Sequence, residues 1–195
     1  MMEKTEIRSF FDRCAETWDA GMVRNERAIE AILDAAGICP GAEVLDVACG
    51  TGVLFPDYQR RGVASLTGID LSPEMAARAG EKYPWATVLC GDAEETDFSR
   101  QFDAVVIYNA FPHFPKPERL LERLCSVLRP GGRLTVAHGM SRQALLRHHS
   151  GAASRVSLEL PEAETLAALL GRWLTVDTVV SDEEKYIVSG ALEGR

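Results

Sequence analysis

Hydrophobic and polar positions along the chain follow two rhythms. Over residues 6–18 and 22–37 the apolar positions recur at helical spacing, with Ala28, Ile32, Leu33 and Ala36 on one face. Gly37 ends the second pattern, and Pro40-Gly41 marks a turn. Short apolar runs then alternate with helical stretches. The runs are Glu43–Val47, Ser65–Ile69, Thr87–Leu89, Ala104–Ile107 and Leu134–Ala137, and helical patterns fill about 53–61, 73–83 and 117–128. This alternation predicts a parallel sheet with helices on both faces. The last part of the chain differs. Trp173–Val180 and Lys185–Leu192 are β-rich runs joined by Ser181-Asp182-Glu183-Glu184, the pattern of a hairpin. Before it, helices near 141–149 and 162–171 flank a loop, more chain than one crossover helix needs. The segment at about 138–160 is therefore read as a lid over the carboxyl ends of the strands.

Composition narrows the class. The 195 residues suit one domain, and 46% hydrophobic with 26% charged residues is the balance of a globular protein. No apolar run approaches the roughly 20 residues that cross a bilayer, and Met1–Glu6 shows no basic-then-apolar leader. The five cysteines include no Cys-x-x-Cys pair, so neither a disulfide framework nor a thiolate zinc site is expected. A cytoplasmic location is the expectation. The net charge is −8, and Gln59-Arg60-Arg61 is as basic as any local stretch, which argues against a nucleic-acid partner.

The chemistry concentrates where the first strand turns into a helix, at Asp46-Val47-Ala48-Cys49-Gly50-Thr51-Gly52. Gly50 and Gly52 let backbone approach a ligand or adopt positive φ, and the following helix offers free N–H groups. Asp46 adds an acceptor better suited to an ammonium than to a phosphate. A Walker loop needs a lysine that is absent, and a dinucleotide fingerprint needs a third small residue where Phe55 stands. Taken alone, the loop also fits a turn with only a structural role. Asp70, in Gly68-Ile69-Asp70-Leu71-Ser72, lies twenty positions after Gly50, the place of an acid that accepts ribose hydroxyls. Ser72 before Pro73 reads independently as a helix cap. Asp92, in Cys90-Gly91-Asp92-Ala93-Glu94, is a further acid suited to an exocyclic amine, or a solvated loop carboxylate.

With these elements in order, the sequence resembles the class I S-adenosylmethionine-dependent methyltransferases, and within them the ubiquinone/menaquinone-biosynthesis-like, type 11 group. The likeness runs from about Phe10 to the C-terminus. It is carried by Val44–Gly52, where Ala48 replaces the first glycine of the motif, by Asp70, by Asp92-Ala93, by Phe102-Asp103-Ala104-Val105-Val106 and by Leu128-Arg129-Pro130-Gly131-Gly132. Phe10-Phe11-Asp12 and Trp18-Asp19 look like that group's N-terminal cofactor lid, here about residues 1–38. The resemblance implies a Rossmann-like α/β fold, a doubly wound sheet of seven strands, mostly parallel with an antiparallel last strand, in a single domain over 1–195. It implies S-adenosyl-L-methionine as cofactor, with Asp46 and the glycine loop at the methionine part. Trp18, Ala48, Cys49, Gly50, Thr51, Gly52, Asp70, Leu71, Met75, Asp92, Ala93 and Asn109 are the further cofactor-binding positions carried over.

The acceptor side is less determined. All four histidines fall after the fourth and fifth strands: His113, His138, and the adjacent His148 and His149. His113 and His138 are the candidate general bases; both also fit ordinary loop or strand-end positions. Asn109-Ala110-Phe111-Pro112 departs from the motif of methyltransferases acting on adenine or glutamine amino groups. The acids that metal-dependent catechol enzymes carry are replaced by Tyr108-Asn109 and His138, so no metal is expected. Arg142 and His149 share a helix face, which binds an anion or simply meets solvent. Phe111, Phe114 and Trp18 form an apolar wall or part of the core. The expected activity is methyl transfer to a small-molecule substrate, without nucleic acid or membrane and with homodimerisation open. The competing readings are a catalytically silent cofactor-binding or partner-binding domain and, more remotely, a nucleotide-dependent oxidoreductase.

Overall fold

The computed structural model describes residues 3–148 and 155–194. Seven strands form one sheet: β1 (Glu43–Val47), β2 (Ser65–Asp70), β3 (Thr87–Cys90), β4 (Phe102–Tyr108), β5 (Leu128–His138), β6 (Thr175–Ser181) and β7 (Tyr186–Ala191). Their order is β3-β2-β1-β4-β5-β7-β6. The first five run parallel, and β7 lies antiparallel between β5 and β6. The hairpin expected from Trp173–Leu192 therefore forms, but its second strand is the inner one. The burial pattern shows why: β7 is buried along almost its whole length, whereas β6 alternates exposed and half-buried positions as an edge does.

Among the described residues seven helices flank the sheet: α1 (Lys4–Cys14), α2 (Glu26–Ala35), α3 (Phe55–Arg60), α4 (Pro73–Lys82), α5 (Pro117–Ser126), α6 (Arg142–His148) and α7 (Ala163–Leu170). Alternate strand residues feed two cores. Leu45, Val105, Ile107, Leu134 and Val136 pack with Leu120, Leu121 and Leu124 of α5 and Leu166 and Leu170 of α7. Val44, Ala104, Val106 and Ile187 pack with Ile29, Ile32 and Leu33 of α2 and with Phe55 and Tyr58 of α3. Helices thus cover both faces, as the alternating pattern requires.

Local chemistry sets several boundaries more tightly than periodicity does. The expected helix over 22–37 starts at Glu26 because the Asn25 side chain caps it, accepting from the Ala28 N–H at 3.1 Å. It ends at Ala35, and Gly37 just beyond the cap, at φ +68°, supports the Ile38 N–H to Leu33 carbonyl bond at 3.0 Å. Ser72 caps α4 through the Met75 N–H at 3.1 Å, with Pro73 opening the helix. The expected helix over 6–18 stops at Cys14, and a short 3-10 turn, Asp19–Gly21, follows. The Arg129–Gly132 stretch, expected as a turn before the fifth strand, lies inside β5: Leu128 pairs with Phe102 and Arg133 with Ala104, so the intervening residues bulge out.

Candidate active site

The sheet reverses its winding between β1 and β4, and the site opens at the carboxyl ends of these strands. The cleft there encloses about 450 Å³. Its floor is the loop after β1. The Cys49 N–H donates to the Ile69 carbonyl at 3.1 Å, and the Gly50 N–H donates to Asp70 Oδ2 at 2.8 Å, which ties the loop to β2. Ala48 and Gly50 both take φ of +55°. At Gly50 a Cβ would project into the cleft, its nearest contact being the Trp18 indole nitrogen at 3.9 Å, so the missing side chain leaves room above the backbone.

The acids occupy distinct positions. Asp70 lines the cleft and is buried, its Oδ1 accepting from the Ser72 N–H at 2.9 Å. Burial raises its pKa to about 6, against the two backbone N–H bonds that pull it down. Asp92 lines the other end, with Oδ1 held by the Glu94 N–H at 3.0 Å and Oδ2 by the Lys4 ammonium. Asp46 sits behind the loop rather than in the cleft wall. Desolvation raises it to about 8; the Tyr58 phenol is close enough to lower it but falls short of hydrogen-bond geometry. Burial and the Asp46 and Asp70 charges push the Cys49 thiol well up, so it stays protonated and packs.

Of the positions carried over for the cofactor, the cleft brings together Trp18, Ala48, Cys49, Gly50, Asp70, Leu71, Met75, Asp92, Ala93 and Asn109. Asp46, Thr51 and Gly52 do not line it. Thr51 is buried and donates to Asp19 Oδ1 at 2.5 Å, while Gly52 turns the loop at φ +83° with no space for a side chain against Tyr83. Asn109 also has positive φ, +54°, and its Oδ1 accepts from the Gly139 N–H at 3.0 Å.

The two candidate bases separate. His113 lies in the 3-10 turn Phe111–His113 and lines the cleft, 4.9 Å edge-on from Phe11. Its Nδ1 is 2.8 Å from the Val156 carbonyl, which can only accept, so Nδ1 carries the proton. His138, the last residue of β5, has no exposed surface, packs against Tyr186 and does not line the cleft. Phe114 joins the cleft wall, whereas Phe111 is in the core. Arg142 is turned to the segment before α7, bonding the Leu160 carbonyl and pairing with Glu159 and Glu162, so it offers no anion site. His149 lies outside the described residues. Among the described residues no group of His, Cys, Asp and Glu is arranged to hold a metal ion.

The fourth wall is the chain from Lys4 to Asn25, strapped across the strand ends. Asp12 accepts from the Ser72 hydroxyl at 2.6 Å, and Asp19 pairs with Lys82 at 2.7 Å. Arg24 donates to the Val53 carbonyl, to Glu26 and to buried Asp57. Asn25 donates to the Gly139 and Glu184 carbonyls at 3.3 Å. Lys4 and Arg24 both line the cleft, and sequence reasoning missed both. Their partners are far away in sequence, and charged residues on an exposed N-terminal segment carry no local signal.

A seven-stranded doubly wound sheet with an inserted antiparallel strand, a glycine loop after β1 and acids after β2 and β3 define a Rossmann-like nucleoside-cofactor domain. Residues 45–136 match a family model described as a methyltransferase domain. The chain is 32% identical over 138 residues to the demethylmenaquinone methyltransferase of Renibacterium salmoninarum, covering 68% of this chain and 58% of that protein. It is 38% identical over 109 residues to the phosphatidylethanolamine N-methyltransferase of Cereibacter sphaeroides, covering 52% of this chain and 53% of that protein. The chain thus spans a little over half the length of these curated relatives. Its fold matches that of magnesium protoporphyrin IX methyltransferase from Synechocystis PCC 6803 with bound SAH, at TM-score 0.76 and 18% identity, over 98% of this chain and 100% of that one. The family match, the curated relatives and the fold together support a class I S-adenosylmethionine-dependent methyltransferase.

Proposed function

We propose that the chain moves the methyl group of S-adenosylmethionine to a small, largely apolar acceptor. One observation carries this reading: a single cleft is lined by Asp70 and the glycine loop together with His113, Phe11, Trp18 and Phe114. The residues fit the cofactor. The bare backbone at Gly50 leaves room for the methionyl chain, and Asp70 offers acceptor lone pairs to ribose hydroxyls. Leu71 and Met75 supply an apolar seat for a purine, with Asp92 at its amine edge. Arg24 spends four of its five N–H donors on protein groups, leaving one Nη1 hydrogen for a carboxylate.

When bound, the cofactor supplies a methyl group already activated on a sulfonium, so the protein's work is positioning and the exclusion of water. Lys4, Ile7, Phe11, Trp18 and Arg24 of segment 4–25 line the cleft, which supports the reading of this segment as a lid. Segment 155–160 backs the acceptor wall: the Leu158 N–H donates to the Pro112 carbonyl at 2.7 Å. With the Nδ1 of His113 donating to the Val156 carbonyl, Nε2 is the ring nitrogen that would take a proton from a hydroxyl or amine acceptor. His138, walled into the core, is not part of this proposal. Lys4 and Arg24 are already paired with carboxylates, which favours an uncharged acceptor over an anionic one.

The small-molecule acceptors in the relatives' names support the substrate class, and the net charge of −8 supports a site that does not grip nucleic acid. No helix among the described residues is long and apolar enough to cross a membrane, which is consistent with work in the cytoplasm. Calorimetry with S-adenosylhomocysteine and NAD, followed by mass-spectrometric detection of methyl transfer across a panel of phenols, quinols and amines, tests the reading. Binding of S-adenosylhomocysteine but not NAD, with turnover of an uncharged acceptor, is expected. Binding without turnover on any acceptor would favour the silent domain.

A further inference from the structure

We propose that Lys4 is a positioning residue for the purine end of the cleft, so that this end is complete only with α1 docked. The proposal rests on the reading of the cleft as an S-adenosylmethionine site. The Lys4 ammonium bridges Asp92 and Glu94, the latter at 2.9 Å, across 88 and 90 residues of chain. Asp92 is thereby fixed through both oxygens, Oδ2 by the ammonium and Oδ1 by the Glu94 N–H. Each oxygen keeps a second lone pair, so the carboxylate is held in place while still able to accept from an exocyclic amine.

Two features make Lys4 more than a surface ion pair. The Glu94 side chain has no exposed surface, and Arg119, the other cation near it, stands 3.9 Å away. Without Lys4 two adjacent carboxylates, one of them buried, lose their shared counter-charge. Lys4 also lies on the same helix face as Ile7 and Phe11, and all three line the cleft. The bridge therefore sets where the apolar face of α1 rests over the base. The Asp12–Ser72 hydrogen bond holds the next turns of the same helix onto the start of α4.

The test compares three ligands by calorimetry and stopped-flow: S-adenosylhomocysteine, adenosine, and S-ribosylhomocysteine, which lacks the purine. Lys4→Met keeps the alkyl stem and removes the charge. It is expected to weaken S-adenosylhomocysteine and adenosine by about tenfold, mostly through faster dissociation, and to leave S-ribosylhomocysteine unchanged. Lys4→Arg is expected to restore binding to within about threefold of wild type. A measurement on the wild-type protein alone guards against a variant that fails to fold. S-adenosylhomocysteine has no net charge, so a loss of its affinity and that of adenosine between 0.05 and 0.5 M salt (about threefold), with S-ribosylhomocysteine unaffected, reads the bridge directly. Equal binding by wild type and Lys4→Met, equal losses for all three ligands, or no salt effect on the purine ligands would each overturn the proposal. Failure of the wild-type protein to bind S-adenosylhomocysteine would instead overturn the cofactor reading beneath it.

Discussion

Asp70 Oδ2 accepts a hydrogen bond from the Gly50 N–H at 2.8 Å, joining the end of β2 to the glycine loop of β1. The same carboxylate holds the Ser72 N–H and faces the cleft, so it organises the floor of the site and offers itself to a ligand. Asp70→Asn keeps the shape but loses an acceptor oxygen. Charged hydrogen bonds contribute about 1.5–3 kcal/mol, so S-adenosylhomocysteine affinity is expected to fall roughly 10- to 100-fold by calorimetry. Unchanged affinity would remove Asp70 from the site.

Burial also makes stability depend on pH. Asp46 and Asp70 are raised from 3.8 to about 8 and about 6 by desolvation. Between the unfolded and folded values the folded state holds protons that the unfolded state has released. The contribution of these groups is full below the unfolded value and is lost as pH rises through each folded pKa, by up to about 1.4 kcal/mol per pH unit for each group. Urea unfolding at pH 5, 6.5 and 8 is expected to show falling stability. Asp46→Asn is expected to flatten the slope, most clearly between 6.5 and 8, where Asp70 has already ionised.

Ala48 is a non-glycine residue held at φ +55°, and Gly52, four residues on, takes φ +83°. Ala48→Gly relieves left-handed strain and is expected to stabilise by about 0.5–1 kcal/mol, raising Tm by roughly 1–4 °C. Gly52→Ala works in the opposite sense. Its Cβ would lie 2.8 Å from the Tyr83 ring in a conformation that side chains disfavour. A loss of about 2–3 kcal/mol is expected by thermal or urea unfolding. The two substitutions are expected to move stability in opposite directions.

His113 and His138 are expected to fail in different ways. His113→Ala, at the cleft wall, should lower kcat by about 100-fold or more and leave cofactor affinity within about threefold. His138→Ala opens a hole beside Tyr186 and should cost about 2–4 kcal/mol of stability. Full turnover in His113→Ala would exclude it as the base.

Much of the site was legible because its signals are local. A strand, a glycine turn and an acid at fixed spacing specify backbone that must bend and a carboxylate at a strand end, and Asp70 and Asp92 line the cleft from those positions. Spacing along the chain did not distinguish Gly50, whose missing side chain opens the cleft, from Gly52, whose missing side chain accommodates Tyr83. Nor did it distinguish His113, in the turn after β4, from His138, at the end of β5; only the first lines the cleft and the second is fully buried.

The sequence by itself determined the alternation of strands and helices and the two apolar faces of the sheet, because periodicity and turn chemistry act over a few residues; the winding followed only from the family resemblance. Tertiary structure decided that β7 sits inside β6, that His138 is walled in, and that Lys4 and Arg24 line the cleft. Those outcomes depend on contacts between distant segments, where burial and charge pairing are set by what the rest of the chain brings alongside.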